Sequence, residues 1–124
     1  NQSPTLLIIG TPNVVRHGVV ALDNRIIKAS DFETSANHLT YSLVEAPAHG
    51  TVLLGGRTLT VGAHFTLNDL VRKRLAYHNN GATALSDRIV IRVHDAAGAT
   101  TDANVRIAVS TTSLFRSMLT HIAP

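Results

Sequence analysis

The sequence predicts an all-β sandwich, and three observations carry that reading. Val, Ile and Thr supply 34 of the 124 residues, whereas Glu and Lys, the usual fillers of exposed helix faces, number two each. Several short segments alternate apolar and polar side chains at period two. Glycine- and proline-containing turn signals separate those segments. With 44% hydrophobic and 15% charged residues, the chain has apolar material for one packed core, and its length fits one domain of ordinary size.

Thr5 to Ile9 is the first expected strand, closed by Gly10-Thr11-Pro12 because Pro12 has no N–H for a ladder. Val14-Val15 and Val19 to Leu22 are expected as short strands around a bend at Arg16-His17-Gly18. From Asp23 to His38 polar and acidic residues dominate, predicting an irregular crossing that Ile26-Ile27 anchors in the core and that contains Asp31-Phe32-Glu33. Leu39, Tyr41 and Leu43 share one face of a strand that Pro47 ends. Gly50 to Leu54 and Arg57 to Val61 read as a hairpin, since Gly55-Gly56 can take the positive φ angles of a tight turn. Phe65 to Leu70 is expected as one short helical turn, with Thr66 capping its start and Asp69 three residues on.

Arg74 to His78 is the next strand, turned by Asn79-Asn80-Gly81. Asp87 to Asp95 has the strongest pattern: Ile89, Ile91 and Val93 alternate against Arg88, Arg92 and His94. After Ala96-Ala97-Gly98, Asn104 to Ser110 repeats it through Val105, Ile107 and Val109, and two such antiparallel strands would make half of a sandwich. Leu114, Phe115, Met118, Leu119 and Ile122 recur at spacings of three and four, which predicts a C-terminal helix; about 12 residues are marginal alone and must pack on something. The expected division is a domain over 1–112 and an amphipathic segment, linker or packing helix, over 113–124.

Composition removes several chemistries. There is no cysteine, so disulfides, thiolate-bound metals and thiol nucleophiles are excluded. The seven histidines show no metal-ligand spacing, no Ser sits in a Gly-x-Ser-x-Gly elbow, and Gly50, Gly55 and Gly56 lack the Lys-Ser/Thr of a phosphate loop. The acid pairs Asp31/Glu33 and Asp69/Asp87 lack the aromatic surroundings of a sugar cleft. An enzyme is therefore not expected. His49, between Pro47 and Gly50, is expected to fix a turn through side-chain hydrogen bonds. The net charge of +3, three Phe, two Tyr and no Trp argue against a nucleic-acid partner. No apolar run is long enough to span a bilayer. Asn1-Gln2-Ser3-Pro4 carries neither an initiating Met nor a basic leader, and reads as cut from a longer polypeptide.

In order, the chain reads Leu39-Thr40-Tyr41, Pro47-Ala48-His49-Gly50-Thr51-Val52, Gly56, Leu59, Gly62, Phe65-Thr66, Asp69-Leu70 and Arg74-Leu75-Ala76-Tyr77-His78. Asp87 to Gly98 then supplies a closing strand and a Val-x-Asp-x-x-Gly turn. Across most of residues 5 to 110 this resembles the chondroitin sulfate proteoglycan (CSPG) repeat, a cadherin-like, immunoglobulin-like β-sandwich of surface and basement-membrane proteins. The resemblance implies a noncatalytic tandem repeat, extracellular or at the cell surface, that acts as a spacer, adhesion or protein-interaction unit with neighbouring domains of the same polypeptide as partners. It further implies calcium as the one cofactor to consider, held near a domain junction, for which Asp31, Glu33 and Asp95 are the available carboxylates. The alternative reading is a module that binds an acidic polysaccharide or another anionic partner through a basic patch of Arg72, Lys73 and Arg74 with Arg88 and Arg92. Tyr41, Tyr77 and Ile91 are expected inside, where Ala substitution would cost about 2 to 5 kcal/mol.

Overall fold

The computed structural model describes residues 3–111; the apolar stripe expected to be a C-terminal helix lies outside the described residues. The strands are β1 (Thr5–Ile8), β2 (Asn13–Val15), β3 (Val19–Ala21), β4 (Ile27–Ser30), β5 (Thr40–Glu45), β6 (Gly50–Leu54), β7 (Arg57–Thr58), β8 (His64–Thr66), β9 (Leu75–Asn79), β10 (Ser86–His94) and β11 (Thr100–Ser110). A 3-10 turn at Ala36–His38 and one helix, α1 (Leu67–Val71), complete them. The described residues form an all-β sandwich.

The alternation along β10 and β11 dictates the centre. Ile89, Ile91, Val93, Val105, Ile107 and Val109 all point inward, and the two strands pair antiparallel from Ser86↔Ala108 to His94↔Thr100. β5 joins the other side of β10 and carries Tyr41 and Leu43 into the same core; β8 and β2 form the edges, giving the order β2-β11-β10-β5-β8. The facing sheet runs β3-β9-β6-β7 and contributes Leu75, Tyr77 and Val52 to one apolar cluster shared by both sheets. Tyr41 stacks on Phe65 with ring centroids 5.3 Å apart, an offset geometry suited to the ring quadrupoles.

Local chemistry explains the connections. Gly55 and Gly56 sit at φ 60° and 84°, the left-handed pair that a two-residue hairpin needs between β6 and β7. At α1, the Thr66 hydroxyl accepts from the Asp69 amide while the Asp69 carboxylate accepts from the Thr66 amide, a reciprocal cap built with Asp in place of the usual Glu. Gly50 is required by packing: a Cβ there would lie 2.4 Å from the His78 carbonyl oxygen and 2.7 Å from the Tyr77 ring.

Two strands exceed the sequence reading. The crossing from Asp23 to His38 contains β4, which pairs antiparallel with β1 from Thr5↔Ser30 to Ile8↔Ile27. Its Ile-Lys-Ala-Ser sequence alternates over only four residues within a polar stretch, too short to announce a strand, and pairing with β1 supplies what length lacks. β8 likewise precedes α1 as an edge strand beside β5, and the second arm of the hairpin shortens to Arg57–Thr58. β11 begins at Thr100, ahead of the expected Asn104, because the β10 register extends to the turn.

Candidate functional site

Three polar constellations are built on this scaffold. At the end of the sandwich where β11 finishes, Asp87 opens β10 with its side chain turned inward. Its carboxylate accepts from the amides of Ala48 and His49, each at 3.0 Å, and from its neighbour Arg88 at 2.9 Å. The buried Tyr77 hydroxyl donates to it at 2.6 Å. Asn79, also buried, donates to the Tyr77 oxygen at 3.1 Å, and its own oxygen accepts from the amides of Gly81 and His17. Burial together with the hydrogen bond to Asp87 pushes the Tyr77 hydroxyl up to about 12. His49 does fix this turn, but through its backbone: the amide goes to Asp87 and the carbonyl receives Asn80 N–H at 3.0 Å. An open cavity of about 370 Å³ adjoins this network, lined by Ala48, His49, Ser86, Asp87, Arg88 and Arg106. Asp87 faces it with its oxygens already engaged by four donors, a structural arrangement and not that of a free general base.

The opposite end gathers the start of β1, the loop after β4 and the β10–β11 turn. Thr101 donates to the Pro4 carbonyl, and the Ala96 amide donates to the Thr34 hydroxyl. Asp95 uses one oxygen to accept from Ala97 and Ala99 at 3.0 and 2.8 Å, which shapes the turn. Both Asp31 oxygens are shielded from solvent without a hydrogen-bond partner, Glu33 is exposed, and Phe32 between them is 92% exposed. Calcium takes six to eight oxygens. Among the described residues no group of three or more His, Cys, Asp or Glu side chains converges as a metal site. Asp31, Glu33 and Asp95 therefore do not make a calcium shell by themselves.

The third constellation covers the outer face of the five-stranded sheet. Arg88 donates to Asn104 at 2.7 Å and Glu45 at 3.1 Å, and Arg92 grips Asp102 with two hydrogen bonds of 2.7 and 3.0 Å. That pair raises the Arg92 guanidinium and holds the Asp102 carboxyl below its ordinary range, chiefly through the hydrogen bonds. Arg72, Lys73 and Arg74 sit elsewhere, between α1 and β9 of the facing sheet, where Arg74 reaches Asp69 at 3.4 Å. The five basic residues thus do not form one patch. What this face does bring together is a set the sequence concealed: His64 on β8 and His94 on β10 flank Ser42 on β5. Their ring centroids are 5.7 Å apart at an interplanar angle of 75°, and His94 Nε2 is 3.0 Å from the Ser42 hydroxyl. Partial burial, and then the neighbouring His64 ring and Arg92 guanidinium, lower the His94 imidazole below its ordinary range. Only the β5–β8 register, invisible in the spacing of the histidines, could have revealed the pair.

The profile of the family described as cadherin-like matches residues 4–109. FRAS1-related extracellular matrix protein 2 of Homo sapiens is 32% identical over 95 residues, covering 77% of this chain and 3% of that protein. Extracellular matrix protein 3 of Lytechinus variegatus is 34% identical over 95 residues, with the same shares of 77% and 3%. Extracellular matrix organizing protein FRAS1 of Homo sapiens is 32% identical over 71 residues, 56% of this chain and 2% of that protein. The chain therefore spans a small fraction of the length of these relatives. Sandwich architecture and a match along nearly the whole described body agree, and the chain belongs to the cadherin-like family.

Proposed function

We propose that this chain is one CSPG-type repeat of a large extracellular or cell-surface protein, a noncatalytic spacer and interaction unit over residues 1–112 with 113–124 as linker or packing segment. The observation that carries this reading is the placement of the first and last described strands. β1 starts at the end of the sandwich that holds the β10–β11 turn, and β11 ends at the opposite pole, 11 residues further along one continuous strand. At the usual rise this separates the two poles by about 33 Å. Neighbours in the same polypeptide then attach at opposite ends, which is the geometry a spacer needs. By name the relatives are extracellular matrix proteins many times longer than this chain, which supports the location and the tandem setting.

β2 and β11 pair parallel, Ala108↔Asn13 to Ser110↔Val15, so tension between the poles runs along both strands and loads their hydrogen bonds together in shear. Shear requires several bonds to break at once, whereas peeling breaks them singly. No calcium-dependent step enters this account. Titration of the chain with chondroitin sulfate at low and at physiological salt tests the reading against the basic-patch alternative. A spacer gives no saturable binding; saturable binding that weakens steeply with salt would replace this function by anionic-ligand recognition.

A further inference from the structure

We propose that His64 and His94 form a chelating pair for a borderline divalent transition metal, Zn2+ being the representative ion, across the outer face of the five-stranded sheet. Imidazole is the commonest protein ligand for such ions. A tetrahedral zinc binds imidazole nitrogen at about 2.0–2.1 Å, and with the ring centre about 1.1 Å further out two such rings stand about 5.2 Å apart. The observed separation is 5.7 Å, within about 0.5 Å of that figure, so the spacing of the two rings suits a shared ion. The rings meet edge to face at 75° and are not stacked, so rotation of one ring turns its nitrogen edge toward an ion shared with the other. His64 is exposed, which leaves the ion a route from solvent and room for waters in the remaining coordination positions.

The surroundings favour a metal over a plain histidine contact. Ser42, buried beneath the pair, contributes an uncharged hydroxyl 3.0 Å from His94 Nε2. Arg92, the nearby cation on β10, is held by both oxygens of Asp102, which offsets its repulsion of an incoming ion. Two nitrogens and no free carboxylate in the first contact disfavour calcium and magnesium, which take oxygen. Bound there, the ion would tie the edge strand β8 to β10 over the intervening β5 and stabilise the folded chain by mass action.

The test is a ZnCl2 titration of the full chain followed by histidine side-chain NMR and thermal melting, with CaCl2 and MgCl2 as controls. The site predicts that the His64 and His94 signals move together and saturate at one ion per chain, ahead of the other five histidines, with a rise in melting temperature that calcium and magnesium do not give. His64→Gln and His94→Gln should each weaken zinc binding at least tenfold. Binding at wild-type strength by both variants, or response of other histidines first, would overturn the proposal. Should either variant melt early without metal, the joint movement of the two wild-type signals decides.

Discussion

Asp87 shows how one side chain organises a pole of the molecule: it accepts four hydrogen bonds that tie the Ala48-His49 turn, β9 and β10 together. Tyr77→Phe removes the hydroxyl donated to it and leaves Asn79 without that acceptor; the expected loss is about 1–3 kcal/mol in urea denaturation. Asp87→Ala should cost more, since two loop amides and the tyrosine lose their acceptor together. The same tyrosine predicts an alkaline limit. Its folded-state value of about 12 lies above the ordinary 10.0, so the unfolded chain releases this proton first as pH rises. The contribution is complete below pH 10 and is lost between 10 and about 12, and Tyr77→Phe should flatten the fall of melting temperature across that window. Period-two reading of Arg74 to His78 already placed Tyr77 inside. Its partner did not follow from sequence, because the turn that Asp87 holds lies 38 and 39 residues away and only the β6–β9–β10 arrangement brings it near.

At the scale of elements, β5, β10 and β11 were legible in advance from the apolar alternation of their inward faces, and β1, β2, β3 and β9 from short apolar runs bounded by turn signals. The same holds for the β6–β7 hairpin and α1, whose glycines and cap carry local signals. β4 and β8 were not legible because they are short edge or two-stranded pieces specified by their partners. β6 yields a sharp test: Gly50→Ala drives a Cβ into the backbone of β9, and about 1–3 kcal/mol of stability should be lost. Ile91→Ala, emptying a fully buried position on β10, should cost about 2–5 kcal/mol. Arg92→Ala on the outer face of the same strand should leave stability nearly unchanged, as its exposed pair with Asp102 is solvent-screened. Chemical denaturation of the three variants side by side checks that order; a costly Arg92→Ala with a neutral Ile91→Ala would invert the assignment of inner and outer faces.

For the whole molecule, the sandwich and its family were readable because core alternation and ordered motifs span the chain, whereas the candidate sites were read less well. Carboxylates and arginines were grouped by type, and the fold distributes them: Asp95 shapes a turn, Arg88 and Arg92 pair on one sheet, and Arg72 to Arg74 lie beside the other. Their disposition depends on which strands neighbour one another, which composition does not encode. The poles set by β1 and β11 and the parallel β2–β11 pair are the features on which the proposed spacer role rests. Single-molecule pulling between the two ends tests that most directly, since forced unfolding reads the barrier along the loaded direction. A spacer clamped in shear gives one abrupt force peak as the domain opens as a unit, lowered by Val14→Pro, which removes a β2 amide from the pairing strand. Smooth extension at low force without such a peak would contradict the account.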